Sequence, residues 1–162
     1  MLYSGYRTAY SVKQCEKIDP SSPNLTWNAL PDMKSNRCWF TPCLFNAKVY
    51  LCGGVSPTIE EFSPQTENFF LLPLNFSGCN FCSTYVHNNC LVVHASSSIT
   101  KFSVGPAGQL VLHSEVHYST SVSKWSSVQP VLDSARGLFF ICQGLVCNSF
   151  NIETGAIVQS FS

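Results

Sequence analysis

Ile59-Glu60-Glu61-Phe62-Ser63 returns as Ile99-Thr100-Lys101-Phe102-Ser103 and again as Cys147-Asn148-Ser149-Phe150-Asn151, and a further copy, Cys15-Glu16-Lys17-Ile18-Asp19, stands upstream. Each copy is anchored by one large apolar residue (Ile18, Phe62, Phe102, Phe150) and runs into a turn: Asp19-Pro20-Ser21-Ser22, Ser63-Pro64-Gln65-Thr66, Gly105-Pro106-Ala107-Gly108 or Glu153-Thr154-Gly155. Apolar segments follow the last three turns, over 68–72, 109–112 and 156–158, and Leu25-Thr26-Trp27 follows the first. Anchors that recur every 40–50 residues or so have the period of a propeller blade.

Outward from these anchors a second correspondence fixes the register. Pro42-Cys43-Leu44-Phe45-Asn46-Ala47-Lys48 is matched by Pro130-Val131-Leu132-Asp133-Ser134-Ala135-Arg136, and each precedes an aromatic segment ending in glycine, Gly53-Gly54 or Gly144. Asn88-Asn89 supplies the same hairpin turn in the middle copy. Each unit therefore reads strand, tight turn, strand, loop, strand, turn, strand: one four-stranded antiparallel blade. Three units are expected over about 37–74, 75–114 and 115–162, with first strands near residues 37, 83 and 126. Residues 1–36 supply the second to fourth strands of another at most. The expected architecture is all-β: one domain over 1–162, an arc of three to four blades of a β-propeller. Propellers close with four to eight blades, so such an arc self-associates or completes its ring with missing blades.

Composition agrees with a packed fold. Of 162 residues, 45% are hydrophobic and 11% charged, against about 25% charged in ordinary domains, which excludes disorder. Nine basic residues balance nine acidic ones, so no basic footprint for nucleic acid exists. No apolar run approaches the roughly 20 residues that span a bilayer. Met1-Leu2-Tyr3-Ser4-Gly5-Tyr6-Arg7 lacks the apolar stretch of a secretory signal. A cytoplasmic protein with no membrane partner is expected. The nine cysteines are odd in number, and several lie in apolar runs, such as Cys52 after Val49-Tyr50-Leu51 and Cys142 after Phe139-Phe140-Ile141. They read as reduced core thiols.

The residues also resemble a known repeat. Trp27-Asn28-Ala29-Leu30-Pro31-Asp32-Met33, Arg37, Val49-Tyr50-Leu51-Cys52-Gly53-Gly54, Ile59 to Phe62 and Thr66 to Phe69 are similar to the Kelch repeat. Trp27, Tyr50, Gly53, Gly54, Phe62 and Phe69 carry its structural pattern, with Phe69 standing where the pattern has Trp. The match is close from Cys15 to Leu74 and degenerate beyond, where the glycine doublet has become Ala95-Ser96 and Gln143-Gly144. The Trp-x-x-Leu-Pro-x-Met phrase resembles Kelch propellers of ubiquitin-ligase adaptors, whose BTB or F-box segments are not read in these 162 residues. The resemblance implies a non-enzymatic protein- or peptide-binding module that grips its partner with the loops of one face. The alternative is a structural or assembly fragment of a truncated propeller with no ligand of its own.

Catalytic and cofactor motifs are not found. Cys79, Cys82, His87 and Cys90 have the look of a zinc knuckle, but His87 and Cys90 flank the Asn88-Asn89 turn and Cys82 lies five residues back, roughly 16 Å along a strand. His113 and His117 share a strand face roughly 13 Å apart, too far to hold one ion together. No metal and no cofactor is expected. The binding loops implied by the resemblance are Val55 to Thr58, Ser96 to Ser98, Asp32 to Arg37, Asn75 to Asn80 and Ser119 to Lys124. Arg37, Asn36, Ser56, Thr58 and Ser97 are the candidate contacts. Arg37 leads them, because its planar fork of donors suits a partner's carboxylate; the plainer alternative is an exposed or structural arginine.

Overall fold

A computed structural model of the chain describes residues 2–4, 12–21, 23–78, 82–95, 98–118, 130–143 and 146–161. Among these the regular structure is all strand, with no helix, and forms four antiparallel sheets. The first has three strands, β1 (Leu2–Ser4), β2 (Cys15–Ile18) and β3 (Trp27–Leu30). The second orders β4 (Cys43–Phe45), β5 (Lys48–Cys52), β6 (Thr58–Ser63) and β7 (Asn68–Asn75) as a meander. The third does the same with β8 (Ser83–His87), β9 (Cys90–His94), β10 (Ser98–Val104) and β11 (Leu110–His117). The fourth contains β12 (Val131–Asp133), β13 (Leu138–Gln143), β14 (Val146–Asn151) and β15 (Ile157–Phe161).

The turns follow from local chemistry. Asn46-Ala47 and Asn88-Asn89 take positive φ at both central positions (49° and 60°, 46° and 57°), the paired left-handed geometry that matches strand twist in two-residue hairpins. His87 and Cys90 thereby become cross-strand partners.

Strand alternation explains why the strands read as unbroken apolar runs. On β5, Tyr50 and Cys52 pack into one cluster with Leu91, Val93 and Phe102 of the third sheet. Leu51, between them, points the other way to Cys15, Leu30 and Met33, residues of the first sheet and of the segment after it. On β9, Leu91 and Val93 face the second sheet, whereas Val92 faces Phe139, Ile141 and Phe150 of the fourth. The middle sheets are thus buried on both faces, and the four sheets stack in chain order. Polar ties repeat across the stack: Lys17 of β2 pairs with Glu67, and Lys101 of β10 pairs with Glu153, each partner lying in the next sheet's last turn.

Three expectations need correction. The second sheet does not begin near residue 37: Val12 and Arg37 exchange backbone hydrogen bonds, so this segment is tied back toward the first sheet, and β4 opens only after Pro42. The third sheet runs to His117, past the expected end at 114. Cys142 and Cys147 are joined in a disulfide and are not reduced core thiols. The pleat gives the reason, because Ile141 takes the inward position and Cys142 the outward one. The first strand expected near residue 126 lies outside the described residues.

Candidate functional site

The loops joining second to third strands, and those joining one sheet to the next, gather at one end of the stack. Phe76 donates its backbone N–H to Pro57 across them at 3.3 Å, and the Ser98 hydroxyl donates to the Ser77 carbonyl at 2.6 Å. The opposite end carries the Asn46-Ala47 and Asn88-Asn89 turns, with an open cleft of about 440 Å³ lined by Leu44, Phe45, Asn46, Val86, Asn89 and Val104.

Arg37 organises the loop end from within. It is 1% exposed. Its Nε and Nη2 donate to Glu60 Oε1 at 3.1 and 3.0 Å. Nη1 donates to the carbonyls of Gly53 and Thr58 at 2.6 and 3.0 Å, and Nη2 also reaches Thr58 Oγ1 at 3.0 Å. The same Glu60 carboxylate accepts the backbone N–H groups of Lys34 and Ser35 at 2.7 and 2.8 Å. The buried acid thus holds the segment that leaves the first sheet, and Arg37, which neutralises it, ties that segment to Gly53 and Thr58 of the second. Close approach completes the arrangement: a Cβ on Gly54, whose φ is +99°, would lie 2.8 Å from the Cys38 carbonyl oxygen.

The third sheet achieves the same end with a different residue. Thr100 occupies the place in the repeat held by Glu60, and Glu115 of β11 supplies the carboxylate instead. Its Oε1 accepts the Ser77 N–H at 2.9 Å and the Thr100 hydroxyl at 3.2 Å. Burial pushes the Glu115 carboxyl up, but the hydrogen bonds from Ser77 and Thr100 and the nearby His117 together hold it below its ordinary value.

Between the third and fourth sheets, the Tyr118 hydroxyl donates to the Ala95 carbonyl at 2.9 Å and meets Nε2 of His94. His94 packs against Phe139 as well, and its Nδ1 has no hydrogen-bond partner among the described residues. Burial pushes its pKa down to about 4, so the ring is neutral at physiological pH.

Of the expected contacts, Arg37 takes the structural alternative: its donors are spent on Glu60, Gly53 and Thr58. Thr58 belongs to β6, partly buried, with both its carbonyl and hydroxyl oxygens engaged by Arg37. Asn36 is exposed beside them and Ser56 is partly exposed. Ser97, like Ser96 and the loop over 119–124, lies outside the described residues. Tyr50, Gly53, Gly54, Phe62 and Phe69 are buried, and the Phe62 and Phe69 rings meet at 4.7 Å. Trp27 stands half out of the fold at 46% exposure, on the last strand of its sheet. Glu60 and Glu115 escaped the sequence reading. For Glu60 a signal existed, since it lies one step from Ile59 and two from Phe62 in a strand with both faces covered.

Among the described residues, no three His, Cys, Asp or Glu side chains are grouped to hold a metal ion, and no helix is long and apolar enough to cross a membrane. No known protein-family pattern matches the chain, and no curated relative does. Solved structures do share its fold. A functionally unknown protein from Desulfotomaculum acetoxidans DSM 771 superposes at a TM-score of 0.62 with 16% identity, over 92% of this chain and 50% of its own. YjhT superposes at 0.54 with 13% identity, over 90% of this chain and 52% of its own. The chain spans about half the length of each, and the likeness is one of fold.

Proposed function

We propose that the chain is a non-enzymatic protein-binding module, an arc of a Kelch-type β-propeller of the kind that recognises substrates in cytoplasmic ubiquitin-ligase adaptors, and that its partner docks on the loop end. The observation that carries this reading is the support given to those loops. Two carboxylates, the buried Glu60 and the partly buried Glu115, hold the chain at residues 34–35 and 77 by its backbone N–H groups. Lys34, Asn36 and Val55 are thereby left outward. A loop fixed from below loses little conformational freedom on binding, which favours recognition. The contact surface is made of these residues and not of Arg37. Sheets stacked on both faces, with a repeating lysine–glutamate tie, support the propeller part of the reading.

A photo-crosslinker placed at Asn36 or Val55 tests it against the same group at Ala47 or Asn89 on the turn end. Specific protein adducts from the loop-end positions, absent from the turn-end ones, are expected. Adducts confined to the turn end would transfer the site to the cleft beside Leu44 and Val86, and adducts at neither end would remove the binding reading.

The half-length correspondence with both solved structures favours a second reading, in which the four sheets serve assembly and join further sheets into a ring. Light scattering on the purified chain decides it: a stable assembly of defined size is expected, and a monomer at all concentrations overturns it.

A further inference from the structure

One position in the repeat is occupied in three ways. Where β5 meets β6, Cys52 opposes Ile59; where β9 meets β10, His94 opposes Ile99; where β13 meets β14, Cys142 opposes Cys147. The first two pairs are buried, and Ile59 and Ile99 are core residues. In the fourth sheet the isoleucine is replaced by cysteine, Cys142 is exposed, Cys147 is partly exposed, and the two sulfurs are bonded. Their Cα atoms are 3.9 Å apart, five positions apart in sequence.

Backbone pairing runs through the hairpin on both sides of this bond. The ladder from Leu138↔Asn151 to Gln143↔Val146 already aligns the hairpin, so the cysteines stand opposed whether oxidised or reduced. Closing so short a loop removes less entropy from the unfolded chain than closing a long one. The cysteines contribute nothing to the cluster between the third and fourth sheets, which is built by Phe139, Ile141 and Phe150. Elsewhere, Cys15, Cys52 and Cys82 are buried thiols, and burial raises Cys15 to about 11 and Cys52 further still, which suppresses their thiolates.

We propose that Cys142 and Cys147 form a reversible thiol–disulfide site, oxidised by low-molecular-weight disulfides of the glutathione type and reduced by the corresponding thiols. The exposed Cys142 thiolate attacks one sulfur of glutathione disulfide, forming a mixed disulfide and expelling one glutathione thiolate. Cys147 then attacks the Cys142 sulfur, closes the intramolecular bond and expels the second. The protein gives up two electrons and two protons, and the protons end on the two glutathione molecules released. In the reverse direction, two glutathione thiols restore the dithiol and leave as glutathione disulfide. The site does not require that the loop end bind a partner.

Cleavage after Arg136 yields residues 137–162, which contain Cys142 and Cys147 and no other cysteine. The intact chain is equilibrated in buffers running from wholly oxidised to wholly reduced glutathione, quenched with iodoacetamide, and the mass of this peptide is read. A reversible passage from disulfide to doubly alkylated peptide within that range is expected, with the chain folded at both limits. In Cys147→Ser a glutathione adduct should accumulate on Cys142. A peptide that stays disulfide-bonded in wholly reduced glutathione would mark a permanent structural bond and overturn the proposal. So would one that stays doubly alkylated in wholly oxidised glutathione, or adducts that form preferentially on Cys147 in Cys142→Ser.

Discussion

Arg37 and Glu60 meet at 3.0 Å with both side chains at 0% exposure. A charge pair removed from water costs free energy unless its remaining donors and acceptors are satisfied. Here five hydrogen bonds from Arg37 and two backbone N–H groups on Glu60 satisfy them. The pair acts as a junction: it joins the segment leaving the first sheet to β6 and to Gly53, just past the end of β5.

Arg37→Ala should therefore unfold the chain more easily and should not act as the loss of a surface contact. Removing one partner leaves the Glu60 carboxylate buried and uncompensated, a loss of about 3–5 kcal/mol. Asn36→Ala, next door but exposed, should stay within about 0.5 kcal/mol of the parent. Urea unfolding of both variants checks this; equal and small losses would show that Arg37 is not the junction described.

Gly54→Ala should cost more than Gly108→Ala. Both glycines have positive φ, +99° and +77°, so each alanine meets a backbone penalty of about 1–2 kcal/mol. Only at Gly54 does the added methyl also strike backbone, 2.8 Å from Cys38 O and 2.9 Å from Cys38 N, whereas nothing lies within 4 Å at Gly108. Forcing that segment outward adds roughly 1–3 kcal/mol. Thermal melts of the two variants should separate clearly, and coincident melts would contradict the close approach.

The strands were legible because a buried strand pair leaves a dense local trace. Phe62, Phe102 and Phe150 each stand three residues after Ile59, Ile99 or Cys147 and just before a turn, and all three are buried on third strands. For Arg37 a structural role was legible only as an alternative, because a charged side chain in a loop defaults to solvent. What overrides that default is Glu60, a partner 23 positions away, and no local pattern encodes the pairing. Cys142 was misread for the opposite reason. Its run, Phe139 to Cys142, is apolar throughout, but the pleat sends alternate residues to opposite sides. Hydrophobicity alone does not say which side is covered.

Stability should fall in mild acid through His94. Its folded pKa is held near 4 by burial, below the ordinary value of 6.5, so the unfolded chain takes up a proton that the folded chain refuses. The His94 contribution is complete above about pH 6.5 and is lost progressively as pH falls toward 4. Over that window the loss approaches roughly 3 kcal/mol. His94→Phe, which keeps an aromatic ring against Tyr118 and Phe139, should flatten the profile between pH 6.5 and 4. Unfolding free energies across this range measure it, and an unchanged slope in the variant would assign the acid sensitivity elsewhere.

The last strand of each sheet should govern solubility. Trp27 on β3, Phe70 and Leu71 on β7, Leu112 on β11, and Ile157 and Val158 on β15 are between 46% and 55% exposed. All four strands stand at the edge of their sheets, so unpaired backbone groups accompany the exposed apolar side chains. An edge of that kind is a template for pairing with another chain unless charge or proline blunts it. Pro73 is the sole proline among these four strands. Phe70→Lys, Leu112→Lys and Ile157→Lys, combined, should reduce concentration-dependent light scattering while leaving the melting temperature within a few degrees. Because these side chains lie outside the clusters between sheets, the cores should be untouched. If the triple variant scatters as strongly as the parent, association runs through the faces of the sheets and not through their edges.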